Sequence, residues 1–331
     1  MTALIQIGLG PWGRDWAATI LPQLPDAEVV GWVDPDEGAR ASFVAETGVS
    51  AESVFPSVAA AVAATDARAA IAPVAIPAHE AVVRETLSHG LHTLVEKPFT
   101  YRSGTARELA ALAAEKGLVL GVDQNYRLFP GAPVLRRMLA EGTAGRRRRI
   151  SLTWHREHDG VRASDPLIEL AVHHFDLMRY LLAQEATAIT VLPIGIGDDG
   201  SGLRIVVDFD GGDVVDYSLT SAGVAPATPW TGCWEVAGDG GRIVWGGSRT
   251  DGGEPDPHLV AFQPRGGEEQ RVDVPALPLF ERAGVLRAFL DAVEGRGAAT
   301  SPAADNAHTI AILKAAVASR GRRERVAVER W

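Results

Sequence analysis

Short apolar runs alternate with amphipathic stretches over the first third of the chain, and this alternation most restricts the possible folds. The runs are mostly apolar and do not alternate with polar residues, which is typical of strands covered on both faces. Strand and helix patterns in alternation predict a doubly wound parallel sheet in an α/β protein. The predicted strands are Leu4–Ile7, Val29–Val33, Ala70–Ala75, His92–Val95 and Leu118–Val122, and the predicted helices are Trp16–Leu24, Ala39–Glu46, Ser57–Ala64, His79–His89 and Thr105–Lys116.

After Asn125 the pattern changes to strands separated by Gly, Asp and Pro turns, which predicts a large, mostly antiparallel sheet. We therefore expect two domains, a doubly wound parallel domain over 1–123 and an α/β domain with an open sheet over 124–331. The predicted strands of the second domain are Ile150–Arg156, Thr187–Ile196, Leu203–Phe209, Asp213–Leu219, Trp234–Ala237, Arg242–Trp245 and His258–Phe262, and its predicted helices are Val134–Glu141, Pro166–Leu182, Phe280–Glu294 and Asp305–Arg320.

Composition excludes several classes of protein. Of the 331 residues, 46% are hydrophobic and 22% charged, which is ordinary for a globular protein. A formal charge of −10 argues against nucleic acid as a partner. The lone Cys233 rules out an internal disulfide framework and indicates a reducing compartment. No apolar run approaches the ~20 residues that span a bilayer, so we expect a cytoplasmic protein with no membrane partner.

A glycine-rich turn, Gly8-Leu9-Gly10-Pro11-Trp12-Gly13, follows the first predicted strand and opens the first helix. Such glycines permit a tight turn, close approach of a pyrophosphate and close packing of helix on strand. Asp34 ends the second strand about 20 residues later, where a carboxylate binds the adenosine ribose. The carboxylate would repel a 2′-phosphate and favours NAD over NADP, although Arg40 could offset it. A plain glycine turn is the alternative.

Glu96-Lys97-Pro98 directly follows a predicted strand and therefore lies at the carboxyl edge of the sheet, where open α/β folds bind ligands. A pair of charges standing alone would be read as surface. Beside a nucleotide site on the same edge, Lys97 becomes a candidate proton acceptor.

The predicted helix 166–182 carries a stripe of ionisable groups on an otherwise apolar surface. At 100° per residue, Glu169, His173, Asp176 and Tyr180 share one face. Such groups need either mutual pairing or a wet cleft, so they are either a structural network or a catalytic set in which His173 works as acid and base. His174 points away and is read first as a core or interface residue. No residues have the spacing of a metal site.

These motifs together resemble the Gfo/Idh/MocA (glucose–fructose oxidoreductase / inositol dehydrogenase) family over nearly the whole chain. The resemblance rests on the glycine turn, Ile76-Pro77-Ala78-His79, Gly90 to Pro98, Asn125-Tyr126-Arg127 and His173-His174-Phe175-Asp176. It implies an N-terminal Rossmann domain and a C-terminal domain whose open sheet commonly forms a homodimer or homotetramer. Family members oxidise or reduce sugars, inositols and related polyols with NAD or NADP.

The resemblance also implies roles for individual residues. The family lysine corresponds to Lys97 and its catalytic histidine to His173, with Glu169 where an aspartate is usual and Ala75 where Thr or Ser is usual. We expect Lys97, His173, Glu169 and Asp176 to be catalytic. The expected cofactor-binding residues are Gly8, Gly10, Pro11, Trp12, Gly13, Asp34, Ile76, Pro77, His79, Glu96, Lys97 and Asn125, and the candidate substrate contacts are Arg127, His155, Arg156 and His174.

The expected function is reversible hydride transfer between the nicotinamide and a secondary alcohol or ketone of a sugar, inositol or related polyol. The substrate would lie between the nicotinamide and helix 166–182. His173 would take the hydroxyl proton and Lys97 would polarise the oxygen or relay the proton, with Glu169 and Asp176 orienting them. Three alternatives stay open: an NAD-dependent glycosidase of the same fold, a non-catalytic regulator that binds NAD or sugar, and a reductase of another small carbonyl or imine compound.

Overall fold

The computed structural model describes residues 2–145, 148–157, 165–195, 202–221, 227–246 and 259–331. Its contacts divide the chain into a first unit, Met1–Asn125 with Leu279–Ile310, and a second unit, Tyr126–Pro278 with Ala311–Trp331. The first boundary lies two residues from the expected one at 123. The expected second domain also included 279–310, which the structure gives to the first unit, because an amphipathic pattern does not say which sheet a helix will cover.

The first unit is built on a six-stranded parallel sheet in the order β3-β2-β1-β4-β5-β6. This is the Rossmann strand order, and it confirms the predicted doubly wound fold. Strand β3 is too short to give a sequence pattern. The strands are β1 (Thr2–Ile7), β2 (Ala27–Val33), β3 (Val54–Phe55), β4 (Ala69–Ala72), β5 (His92–Val95) and β6 (Leu120–Val122).

Helices join these strands and start where polar side chains cap them. The Asp36 carboxylate accepts the N–H of Ala39, and the Ser57 hydroxyl accepts that of Ala60, which satisfies backbone donors that a helix start leaves open. The helices are α1 (Pro11–Asp15), continued by a π turn (Trp16–Ile20) and a 3₁₀ turn (Leu21–Gln23), then α2 (Glu37–Thr47), α3 (Val58–Ala64), α4 (His79–Ser88) and α5 (Ser103–Glu115).

The second unit is built on a nine-stranded sheet in the order β14-β13-β12-β11-β7-β10-β9-β8-β15. Strands β7 and β10 are parallel and the other neighbouring pairs are antiparallel, which confirms the predicted open sheet. Of the predicted strand ends, Ile196 and His258 lie outside the described residues. The strands are β7 (Arg148–His155), β8 (Ala186–Ile194), β9 (Gly202–Phe209), β10 (Val214–Thr220), β11 (Cys233–Gly238), β12 (Gly241–Trp245), β13 (Val260–Pro264), β14 (Gln270–Val272) and β15 (Val326–Ala327).

Among the described residues, α6 (Gly131–Ala140) and α7 (Val172–Leu182) lie wholly in the second unit, and a π turn (Leu167–Ala171) precedes α7. Alternate residues of β7, such as Leu152 and Trp154, are buried in the same apolar core as the helix residues, whereas Ser151 and Thr153 between them stay partly exposed. One face of the sheet therefore carries the core.

The last two helices are α8 (Glu281–Val293), in the first unit, and α9 (Ala303–Arg322), within which the division between the units falls. Before α9 the chain runs beside β6, where the N–H of Val122 donates to the carbonyl of Ser301 at 2.9 Å. Within the described ranges, no helix is long and apolar enough to cross a membrane.

Candidate active site

The glycine loop of the first unit has one glycine whose missing side chain leaves open space. Gly8 has φ +98°, and a Cβ on Gly13 would collide with the carbonyl oxygen of Gly8, so the protein itself requires both glycines. A Cβ on Gly10 would meet nothing within 4 Å. The Gln6 amide holds the loop by donating to the carbonyls of Gly8 and Gly13 at 3.1 and 2.8 Å. The loop is thus fixed by its outer glycines and open at the middle one, which suits a bound diphosphate.

Asp34 is fixed beside this loop at the end of β2. Its two carboxylate oxygens accept the N–H groups of Leu9 at 2.8 Å and Asp36 at 2.9 Å. Each oxygen has a further lone pair for a ribose hydroxyl. Arg40 donates to the carbonyls of Asp34 and Pro35 at 2.8 and 3.0 Å, so its guanidinium is bound to the loop that follows β2.

His79, expected at the cofactor, is buried and holds two loops together. Its Nδ1 lies 2.9 Å from the Pro98 carbonyl and its Nε2 3.0 Å from the Val74 carbonyl. A neutral imidazole donates from one nitrogen only. With both nitrogens turned to backbone carbonyls, His79 is placed to support the Lys97–Pro98 loop. Ile76 and Pro77 form the 3₁₀ turn that leads into it.

Glu96 is buried at the end of β5 and binds three N–H groups. Its Oε1 accepts from the indoles of Trp12 at 2.6 Å and Trp16 at 2.8 Å, and its Oε2 accepts from the backbone of Lys97 at 3.1 Å. These three donors fix both oxygens of the Glu96 side chain at the strand end.

Asp123, at the end of β6, is buried against Glu96, and we call the two the acid pair. Burial, and secondly the neighbouring Glu96 charge, raise the pKa of Asp123 well above its usual value, while Arg282 opposes them. The raised pKa favours a protonated Asp123, and a protonated carboxyl group can donate a hydrogen bond.

Polar atoms without partners collect next to Lys97. Within the part of the chain that the structure describes, Asp123 Oδ1, Asn125 Oδ1 and both polar atoms of the Gln124 amide are buried and have no hydrogen-bond partner. Native proteins rarely leave such atoms unsatisfied. The three residues follow β6 directly, at the carboxyl edge where this fold binds ligands, and their donors and acceptors fit an amide-bearing cofactor such as a nicotinamide nucleotide.

In the second unit, Asp176 and Arg127 bind each other. The Arg127 guanidinium donates to both carboxylate oxygens at 2.6 and 2.7 Å, and both side chains are buried. The sequence predicts a catalytic Asp176 and a substrate contact at Arg127, and the structure places both side chains in an internal ion pair.

The adjacent histidines of α7 have different surroundings. His173 is 8% exposed and stacks on Tyr126, with ring centroids 4.4 Å apart. His174 is fully buried, with Nδ1 2.7 Å from the Tyr217 hydroxyl and Nε2 3.0 Å from the Trp230 carbonyl. Burial lowers the pKa of His174 to about 3. The sequence offers His174 as a candidate substrate contact, and the structure places it in the core with both ring nitrogens turned to partners.

The π turn before α7 changes the expected stripe. Glu169 lies within the turn Leu167–Ala171, and a π turn holds more residues than an α-helical one. The ideal 100° spacing that aligned Glu169 with His173 therefore does not apply across it. Pro166 directly precedes the turn, but neither Pro nor Gly lies within it.

The expected substrate residues His155 and Arg156 lie at and beyond the end of β7. The Thr228 hydroxyl accepts the His155 N–H at 3.1 Å, and Arg156 donates to the Thr228 carbonyl at 2.9 Å. The Arg156 guanidinium also lies 5.2 Å from the ring of Trp230, which is 37% exposed. Arg156 is thus held in place at a partly exposed aromatic surface.

No cluster of three or more His, Cys, Asp or Glu residues that could hold a metal ion occurs among the described residues. A cavity of about 300 Å³ opens in the first unit beside Leu118–Leu120, at the amino end of β6. It is lined by Ala, Gly, Leu, Val and Pro. The apolar lining and its place at the opposite strand end separate it from the Lys97 loop.

Comparison with known proteins finds a family match over the first unit. Residues 4–124 match the model of the Gfo/Idh/MocA oxidoreductase family, which has an NAD-binding Rossmann fold. An inositol 2-dehydrogenase from Streptomyces avermitilis is 27% identical over 338 residues, covering 98% of this chain and 93% of that protein. A 1,5-anhydro-D-fructose reductase from Ensifer adhaerens is 26% identical over 329 residues, covering 94% and 95%.

The fold of this chain also matches solved structures. An oxidoreductase from Agrobacterium radiobacter, crystallised with NAD⁺, L-tartaric acid and magnesium, superimposes with a TM-score of 0.83. The match covers 99% of this chain and 98% of that one at 16% identity. At this identity the likeness establishes the fold alone.

Sequence patterns did not single out four residues in or beside the acid pair: Trp16, Asp123, Gln124 and Arg282. Asp123 and Gln124 carry the same signal that singled out Glu96 and Lys97, since they follow an apolar strand directly. Arg282 gives no such signal, because it reaches Trp12 and Trp16 from a segment far along the chain.

Proposed function

We propose that this chain belongs to the Gfo/Idh/MocA family and is an oxidoreductase that transfers a hydride reversibly between NAD and a secondary alcohol or ketone of a sugar, inositol or related polyol. The family and the names of the two full-length relatives support the substrate class. The observation that carries the proposal is the strand-end cluster of the first unit. There, Lys97 stands beside buried polar atoms with unused bonding capacity, on the same sheet as a glycine loop left open at Gly10.

The residues that would hold the cofactor are the glycine loop, Asp34, Gln124 and Asn125. A bound nicotinamide supplies the hydride acceptor or donor. We propose NAD rather than NADP, because the Asp34 carboxylate would repel a 2′-phosphate and Arg40 is committed to two backbone carbonyls.

The chain's own residues would handle the proton. Oxidation of a secondary alcohol releases one hydride and one proton, and we assign the proton to His173, which the Tyr126 ring holds in a fixed orientation. Lys97 would polarise the reacting oxygen. Glu169 would orient the catalytic groups, while Asp176 would act as a positioning residue through its ion pair with Arg127.

Turnover of a polyol and inositol panel, followed by NADH and NADPH fluorescence, tests the proposal. Because general acid–base catalysis contributes about 10²- to 10⁴-fold, His173→Ala and Lys97→Ala should each lower kcat by roughly that factor and leave the Kd for NADH nearly unchanged. If the two residues act on one substrate, the double variant should be little worse than either single one. Full activity in both single variants would refute the assignment.

Gly10→Ala provides a matched test of the cofactor site. Its Cβ enters space that the protein leaves empty, so the variant should fold normally and bind NADH more weakly. Gly104→Ala, at another glycine with open space around it, is the control and should leave binding unchanged. Equal binding by both variants would contradict a dinucleotide at the glycine loop.

We further propose that the protein works in the cytoplasm as a homodimer or homotetramer formed through the second unit's sheet. The face opposite the core carries small, partly exposed side chains such as Ser151, Thr153 and Ser218, which a flat interface can cover. Light scattering would give the oligomeric state, and Thr153→Arg should shift it towards the monomer.

A further inference from the structure

Trp12 is an exposed aromatic side chain that is nonetheless held in place. It lies between Gly10 and Gly13 of the glycine loop, and 47% of it is exposed. Its Nε1 donates to Glu96 at 2.6 Å, so one edge of the ring is fixed at the end of β5. An exposed aromatic ring that is already held in one orientation can pack against a ligand with little further loss of side-chain entropy.

Arg282 fixes a face of the same ring. Its guanidinium lies 4.4 Å from the Trp12 ring centroid, within the range of a cation–π contact, and its Nη1 pairs with Asp15 at 2.6 Å. The preceding residue, Glu281, has φ +50°, a left-handed conformation that is unfavourable for a non-glycine residue. The surrounding structure therefore imposes the backbone geometry that delivers Arg282.

The hydrogen bond to Glu96 ties Trp12 to the β5 side of the point at which the strand order of the sheet reverses. The strand order reverses between β1 and β4, and Asp34 ends β2 on one side while Glu96 ends β5 on the other. A dinucleotide lies across this point. Since Asp34 is assigned to the adenosine ribose, the nicotinamide half falls on the side to which Trp12 is tied.

We infer that Glu96 is a positioning residue that holds the Trp12 indole as a packing surface for the nicotinamide-riboside half of the cofactor. The inference rests on the proposed function. The contacts support it, because the carboxylate receives two indole N–H groups on Oε1 and the backbone N–H of Lys97 on Oε2.

Two matched variants test this inference, since Trp12 and Trp16 donate to the same oxygen but only Trp12 is exposed. Trp12→Phe keeps an aromatic ring and removes its anchor. Calorimetric titration should show its NADH affinity falling roughly tenfold, the effect of losing one hydrogen bond to a charged group. Its AMP affinity, which reports the adenosine half alone, should stay within about twofold of the wild type. Trp16→Phe should lower the melting temperature and weaken neither ligand.

The outcomes separate this inference from the proposed function. If the wild-type protein binds neither NADH nor NADPH, the proposed function fails. If the wild type binds NADH but Trp12→Phe binds it equally well, or loses AMP to the same degree, the inference fails and the function stands. Equal loss of NADH binding in Trp16→Phe would also overturn it.

Rescue by a conservative variant separates positioning from charge. Glu96→Gln retains one oxygen for the indoles, and its amide can donate to Asp123, so it should keep the dinucleotide KM within about threefold. Glu96→Ala should raise that KM roughly tenfold or more. If Gln and Ala raise it equally, the carboxylate charge rather than the indole anchor matters and the inference is wrong.

Discussion

Two buried polar clusters, one in each unit, differ in whether their hydrogen-bonding groups have partners. In the second unit, Arg127 pairs with both oxygens of Asp176, and His174 has a partner at each ring nitrogen. In the first unit, the acid pair lies next to the Gln124 amide, which has no partner among the described residues. A satisfied network stabilises a core, whereas buried polar atoms left over beside a charged cluster mark a place prepared for a ligand.

Breaking the ion pair of the second unit should have the largest effect on stability. Asp176→Ala leaves the Arg127 charge buried without its carboxylate, which typically costs about 3–5 kcal/mol. Urea unfolding of the apo protein measures the loss. Asp216→Ala, which breaks the exposed pair with Arg204 in the same unit, is the control and should cost no more than about 1 kcal/mol. A similar small loss for Asp176→Ala would show that Arg127 is not buried as described.

His174 should make the second unit sensitive to acid. Its folded pKa is lowered to about 3, below the ~6.5 of an unfolded histidine. The unfolded state therefore binds a proton first, and stability present above pH 6.5 falls as the pH drops, by about 1.4 kcal/mol per unit. Between pH 6.5 and 4.5 this amounts to roughly 2–3 kcal/mol.

The measurement is urea unfolding across that pH range for the wild type and His174→Gln. The variant should be less stable at pH 8, where Tyr217 and the Trp230 carbonyl lose their partner, and should depend less steeply on pH below 6.5. His89→Gln, at an exposed position, is the control and should follow the wild type. Parallel curves for His174→Gln and the wild type would contradict a neutral, buried His174.

The same contrast explains what the sequence could predict. Apolar runs and helical spacing are local, and strand order in a doubly wound sheet follows from connection rules, so both sheets were predictable. The assignment of 279–310 to the first unit was not predictable, because helical periodicity does not show which sheet a helix packs against. Lys97 and Glu96 could be found as charges after a buried strand. The pairing of Arg127 with Asp176, 49 residues apart, depends on tertiary packing, and so does the approach of Arg282 to Trp12.

Asp123→Asn tests the acid pair directly, and it should change the free energy of unfolding least at low pH. An asparagine side chain offers an N–H donor where a protonated Asp123 offers an O–H donor. The stability of the variant should therefore match that of the wild type near pH 4. Burial, and then Glu96, raise the pKa of Asp123 in the folded state well above that of the unfolded chain. The stability carried by this proton is complete below about pH 3.9 and is lost as the pH rises towards the folded pKa.

Asparagine has no proton to lose, so Asp123→Asn should become progressively more stable than the wild type from pH 5 to pH 8. This is the opposite sign to the His174 effect, whose stability is lost on acidification. Urea unfolding at pH 5, 6.5 and 8 measures the gap, with Asp216→Asn as the exposed control. A gap that stays constant with pH would mean that no proton is held between Asp123 and Glu96. The contrast between the two clusters would then rest on Gln124 and Asn125 alone.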